Sequence, residues 1–326
     1  LVSGQMDRAL ETADANLRTA ERIGSDELLL EAHVDAGNAR FYTGDLAGGD
    51  DHLRKVLELY NPPEHHHHVN IFGKDPGAVA EVHLAISQWF QGRPDEALEI
   101  SQNSVARTEE WLHPFSHVWA LLGLAVIRRL RGELDEFRAV AERALSESGE
   151  QGVPNWAAQA QVNVGWARAQ AGEPGPGIDM IREGLALWEM TGAQLATTYF
   201  EYSLAEAHLA AGQYDLALGV LESALNRVEK TSERWFEPEL HRVRGEVLRA
   251  QGDEEGAAES FREALEVATR TGALSFRLKA LLSLARLRVA QGRFDELRAE
   301  LHATYDEFTE GLDTRDLQEA LALLQA

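Results

Sequence analysis

The chain has 326 residues, 44% hydrophobic and 26% charged, a composition that supports a packed core and excludes a disordered chain. Its 31 Lys and Arg face 54 Asp and Glu, a net charge of −23 that opposes direct binding to nucleic acid or an anionic membrane, where affinity comes from neutralising phosphates with cations. With no cysteine, disulfides, thiolate metal sites and a Cys nucleophile are all excluded.

The chain opens inside the second helix of a broken repeat, about residues 5–23. Leu1 is not an initiator Met and no signal-peptide pattern precedes a cleavage site, so a piece of a longer, cytoplasmic protein is expected. Helix starts are expected where a capping side chain precedes an acid or a proline: Ser25 before Asp26, Asp75 before Pro76, and Ser232 before Glu233. A turn glycine recurs at Gly4, Gly44, Gly92, Gly132, Gly172, Gly212, Gly252 and Gly292, in steps of 40 residues except for one of 48. The extra eight residues fall in segment 61–75, read as an insertion loop. Seven positions before each later glycine stand Gly37, Ala85, Ala125, Gly165, Ala205, Gly245 and Ala285, small residues that let a neighbouring helix backbone come close. Around Gly212, apolar residues recur at helical steps, as in Leu204, Ala205, His208 and Leu209, then Leu216, Val220, Leu221 and Ala224. Each repeat is therefore a helical hairpin. The longest apolar run, Val118 to Ile127, meets Arg128 far short of the ~20 residues of a membrane span. A final helix near 314–325 is introduced by Asp313, which brings the expected total to about sixteen helices with no strand.

These columns, with Tyr214, Ala217 and Ala224 in one repeat and Ala257, Phe261 and Ala264 in the next, resemble the tetratricopeptide repeat, with helices longer than in the common form of about 34 residues. The resemblance implies an all-α, right-handed α-α superhelix over 1–326, a single solenoid of about seven hairpins with a terminal capping helix. Segments Thr231 to Glu246, Gly73 to Gly77 with Trp89 beyond, and Phe308 to Leu317 resemble the C-terminal region of large bacterial regulators. There a nucleotide cyclase or a transcription-factor domain is joined to a signal-transduction ATPase and then to such repeats. None of their catalytic parts is visible. Gly73-Lys74-Asp75 lacks the glycine spacing and the hydroxyl of a phosphate loop.

The run His65, His66, His67 and His68 is the obvious metal candidate, with His83 and Asp75 as further ligands, but stable sites want separated ligands held by outer partners. His113 and His117 are four apart, with Pro114 between them placing His113 outside the helix. No metal and no cofactor is expected. In tetratricopeptide arrays the first helix of each hairpin lines the concave face, and the residue after the small column points into it. That rule selects Asn38, Ile86, Val126, Trp166, Glu206, Glu246 and Arg286, and neighbouring turns add Trp89, Trp119, Tyr199, Tyr202, Arg242 and Arg249. The face is aromatic in the middle and charged toward the C-terminus, which suits a peptide or partner helix. Against this stands the ordinary role of tryptophan as core, and of Glu239, Arg242 and Glu246 as an ion-pair ladder along one helix. The expected function is a non-catalytic protein- or peptide-binding scaffold or sensor, with small-metabolite sensing and homo-oligomerisation as alternatives.

Overall fold

The computed structural model describes residues 4–65, 67–110 and 113–325. Its backbone is punctuated every 20 residues, because Gly132, Gly152, Gly172, Gly192, Gly212, Ser232, Gly252, Gly272 and Gly292 all take positive φ and end a helix. Between these breaks lie α1 (Met6–Ile23), α2 (Asp26–Thr43), α3 (Leu46–Leu59), α4 (Pro62–His65), α5 (His68–Phe72), α6 (Pro76–Phe90), α7 (Pro94–Glu110), α8 (Pro114–Leu130) and α9 (Leu134–Gln151). The remainder are α10 (Pro154–Gln170), α11 (Pro174–Met190), α12 (Thr197–Ala210), α13 (Tyr214–Thr231), α14 (Glu237–Gln251), α15 (Glu254–Thr271), α16 (Leu274–Ala290), α17 (Asp295–Asp306) and α18 (Arg315–Gln325). No strand occurs among the described residues, and no helix of theirs is long and apolar enough to cross a membrane.

Seven hairpins, from α2–α3 through α16–α17, follow the lone α1 and stack in order into a right-handed superhelix closed by α18. Two expectations need correction. Segment 61–75 is not a plain loop but carries α4 and α5, which raises the helix total among the described residues to eighteen. Ser232 does not start a helix: it sits at φ 60 as the left-handed cap of α13, its N–H bonded to Val228 O, and α14 begins only at Glu237. Ser25 and Asp75 do cap, accepting from the backbone N–H of Leu28 and Ala78.

The small column seats helix against helix. A methyl added to Gly165 of α10 would stand 2.8 Å from Gly177 O and 3.0 Å from Ile181 N of α11, so the two backbones are in contact there. The first helix of each hairpin is consequently buried nearly all round: α6 and α8 present apolar residues to both the outer helices and the lumen.

The superhelix also meets itself. Tyr42 O, at the end of α2, accepts from the N–H of Arg234 at 2.8 Å, and Ser275 Oγ donates to Trp89 O at 2.6 Å across 186 positions of chain. Around these bonds Phe41 and Phe90 of the first two hairpins pack with Trp235, Phe236 and Phe276 of the later ones, ring centroids 4.5 to 6.3 Å apart. Farther along, Glu310 accepts from the N–H groups of Asp95 and Glu96 at the start of α7, and Asp95 accepts from Gly311 N. Much of the concave space is thus filled by the chain's own aromatic side chains.

Candidate ligand pocket

What the closure leaves open is a cavity of about 110 Å³ in the lumen, between α2, α6, α8, α10 and α12. Among the described residues, four tryptophans line it: Trp119 on α8, Trp156 on α10, Trp188 at the end of α11 and Trp235 before α14. Trp119 and Trp156 lie 4.7 Å apart with a 30° tilt, and Tyr199 faces Trp235 at 5.7 Å. His83 sits among them as a neutral ring. Burial pushes its pKa down to about 4 even though Val79 O accepts from Nδ1, and that bond leaves Nε2 facing the Tyr42 hydroxyl at 3.2 Å. Among the described residues the wall contains no Asp, Glu, Lys or Arg; the amides of Asn155 and Gln159 are its polar side chains there besides the tyrosines, the histidine and the indoles. Such a surface binds by shape and desolvation, not by charge.

Of the residues expected in the groove, Trp119 and Tyr199 reach this cavity, together with Ile86 and Val126. Trp89 does not: it is buried in the closure against Phe276. Asn38 is buried away from the cavity, with no partner for its Oδ1 among the described residues. Trp166, Tyr202 and Glu206 surround Arg129, a residue the column rule did not select. The guanidinium lies 3.9 Å over the Trp166 ring and 4.6 Å over Tyr202, donating to Tyr199, Ser203 and, at 2.8 Å, to Glu206. Trp166 Nε1 donates to the same Glu206 oxygen. Burial works against the charge of Arg129, but Tyr199, Tyr202 and Glu206 outweigh it and move its pKa up.

Arg242, Glu246, Arg249 and Arg286 continue this ladder toward the C-terminus. Glu239, fully buried, takes a bidentate pair from Arg242 at 2.6 and 2.9 Å and a third bond from Lys279 at 2.8 Å. Burial alone would raise its pKa, yet these two cations hold it at about 2. Glu246 accepts from Arg249 and Ser283, and Arg286 makes a bidentate pair with Glu319 of α18. These charges are spent within the fold, many of them on the neighbouring repeat: Lys279 to Glu239 and Trp166 to Glu206 each span 40 positions.

The histidine run is divided. His65 is buried, its Nδ1 accepting from Asn61 N, while His66 lies outside the described residues. His67 and His68 converge with Glu27, one ligand atom from each lying within 4.8 Å of the others. Each of the two rings is braced at Nδ1, His67 by Glu64 O at 2.7 Å and His68 by Glu31 at 2.8 Å. His113 caps α8 through Ser116 N, and His117 instead meets Thr108 and Arg143, so these two do not form a pair.

Sequence reasoning missed Trp156, Trp188, Trp235 and Gln159. A second column would have found Gln159: six positions before each small residue stand Glu31, Val79, Trp119, Gln159, Tyr199, Glu239 and Lys279. Trp188 and Trp235 lie at the end of an outer helix and in a connection, where a rule based on inner helices has no reach.

No family model matches the sequence. An uncharacterized protein of Rhizobium meliloti (strain 1021) is 26% identical over 290 residues, covering 88% of this chain, which spans only 28% of that protein's length. Among solved structures, a Rap protein complexed with competence and sporulation factor superposes with a TM-score of 0.59 at 13% identity, over 98% of this chain and 93% of that one. The Rap conjugation gene regulator of plasmid pLS20, in complex with the Phr* peptide, gives 0.59 at 12% identity over 92% and 75%. NprR in complex with its cognate peptide NprX gives 0.58 at 13% over 90% and 82%. The fold is tetratricopeptide-like. At these identities the likeness is one of architecture, and the contents of the lumen have to be read from this chain's own residues.

Proposed function

We propose that this chain is a non-catalytic sensor, whose small ligand occupies the lumen cavity and whose occupancy is passed on through the closed superhelix to the rest of a larger regulator. The observation that carries the reading is the closure itself. With Tyr42, Phe41 and Phe90 packed on Trp235, Phe236 and Phe276, the lumen keeps a space of about 110 Å³ walled by four tryptophans, which suits a small ligand. Trp235 belongs to both the closure and the pocket wall, so a ligand against it bears directly on how the first and later hairpins meet. The much greater length of the Rhizobium meliloti relative supports further domains beyond the repeats.

A ligand bound by the folded state alone raises stability by mass action, about 2.7 kcal/mol at a hundredfold excess over Kd. Thermal-shift screening of the full chain against a metabolite library is expected to yield hits that are lost in Trp119→Ala. Hits that persist in Trp119→Ala would place binding elsewhere and refute the lumen reading. A second reading, a peptide ligand, is favoured by the two structures of the same architecture in complex with a peptide, the pLS20 Rap regulator and NprR. It requires the closure to part. Stabilisation by a peptide, with the radius of gyration increasing in small-angle scattering, would decide for it.

A further inference from the structure

The break in the 40-residue period is where three metal-binding side chains meet. His67 and His68 stand at the start of α5, inside the extra segment 61–75, and Glu27 stands in the first turn of α2. One ligand atom from each lies within 4.8 Å of the others, and His67 Nε2 is 3.9 Å from Glu27 Oε1. Among the described residues, none of these three lines the lumen cavity.

The histidine run as a sequence lacked two things, a ligand from elsewhere in the chain and outer partners to fix the rings. The fold supplies both. Glu64 O can only accept, so His67 Nδ1 is the donor in their 2.7 Å bond, and the lone pair of the neutral ring falls on Nε2, the atom that faces Glu27. His68 Nδ1 lies 2.8 Å from Oε1 of the buried Glu31, and donation to that carboxylate likewise assigns the lone pair to Nε2. A backbone carbonyl behind one ring and a carboxylate behind the other are the partners that orient metal-bound histidines and raise their basicity. His65 serves the fold instead, its Nδ1 accepting from Asn61 N and its ring lying along Tyr60 at 6.0 Å.

Donor type and charge choose the ion. Two imidazoles and a carboxylate match zinc and the neighbouring divalent first-row metals, whereas magnesium and calcium take oxygen ligands. The carboxylates of Glu27 and Glu31 balance a double positive charge, and Lys74 is directed away to Asp35 at 3.5 Å. Ligand atoms around a tetrahedral zinc ion stand about 3.3 Å apart, so the cluster has to contract by up to about 1.5 Å. Glu27, its side chain 63% exposed, has the freedom to close in, while His68 at 1% is the fixed anchor.

We propose that Glu27, His67 and His68 bind one divalent ion of the zinc type, which ties the extra segment to the first turn of α2. The site stands apart from the lumen reading and does not depend on it.

The full chain, stripped of metal with a chelator, is titrated with zinc chloride by calorimetry and with cobalt chloride by visible absorption, which reports the ligands around the ion. One zinc per chain is expected, with a rise in melting temperature because the ion binds the folded state, and magnesium chloride should do neither. Glu27→Gln and His67→Gln change side chains outside the core, and each should weaken zinc binding at least tenfold, abolish the rise and alter the cobalt spectrum. Glu31→Gln keeps an acceptor for His68 but loses the charge; with folding checked by circular dichroism, it should weaken zinc ten- to hundredfold. Zinc affinity and a cobalt spectrum unchanged in Glu27→Gln would assign the metal to loose chelation by the histidine run and overturn the site. Absence of zinc binding to the parent overturns it as well.

Discussion

Replacing Gly165 by alanine tests whether the 40-residue repeat is seated by backbone contact between α10 and α11. Intrinsic helix propensity alone favours the change, since alanine is better than glycine in a helix interior by about 1 kcal/mol. The structure predicts the opposite sign. The new methyl would lie 2.8 Å from Gly177 O, 2.9 Å from Ile181 Cγ1 and 3.0 Å from Ile181 N, and two of these three are main-chain atoms that no rotamer change can move. Ordinary carbon contacts begin near 3.5 Å, so the helices must part by about half an ångström along a seam where Gly177 and Gly184 are equally crowded. Overpacking of this kind costs about 1–3 kcal/mol. Set against the propensity gain of about 1 kcal/mol, a net loss of up to about 2 kcal/mol is expected, seen as a lower urea midpoint by circular dichroism. Gly219→Ala is the control, because it lies on the exposed face of α13 with nothing within 4 Å of the added methyl, and it should stabilise by up to about 1 kcal/mol. A Gly165→Ala protein as stable as the parent would refute the close approach of the two helices.

Ser232→Gly should raise stability by about 1 kcal/mol, because serine at φ 60 occupies the one left-handed position of the 20-residue grid between Gly132 and Gly292 not filled by glycine; a lower urea midpoint would contradict this account of the turn. Glu206→Ala leaves the buried Arg129 guanidinium without its carboxylate and should cost about 3–5 kcal/mol, whereas Arg129→Met combined with Glu206→Ala should recover most of that loss. If the double variant is no better than the single one in urea titrations, the charge of Arg129 is not what Glu206 balances. The neutral His83 predicts a pH effect of definite sign. Its pKa is held at about 4, so the unfolded chain takes up a proton first, and stability present above pH 6.5 is lost as the pH falls toward 4. At about 1.4 kcal/mol for each tenfold step the loss reaches about 3 kcal/mol. Comparing the parent with His83→Gln at pH 7 and pH 4.5 isolates this contribution from that of the carboxylates, and an identical pH dependence in both would exclude it.

Local order was legible in the sequence because it depends on the nearest neighbours along the chain. Glycine at fixed intervals can end helices in the left-handed conformation, small residues seven positions earlier admit the adjacent helix, and Ser25 and Asp75 satisfy orphan N–H groups in their own first turns. Ser232 misled for the same reason. Ser followed by Glu has the local look of a helix start, and only the 20-residue spacing marks it as an end.

The charged half of the expected groove was legible as a set of residues but not as a use. Arg242 and Glu246 do lie on the inner helix α14, and the period then brings Lys279 beside Glu239 and Arg286 beside Glu246, so the charges neutralise one another between repeats. The pocket depended on something with no local signature, the pitch of the superhelix. Small rotations between successive hairpins add up until Tyr42 meets Arg234 and Trp89 meets Ser275, contacts far separated in the chain. The 40-residue period by itself therefore determined a helical repeat and its inner face. Only the accumulated rotation of the repeats decided that this face closes on itself, buries Trp89, and gathers Trp119, Trp156 and Trp188 of two successive hairpins with Trp235 of the connection before α14 around one small space.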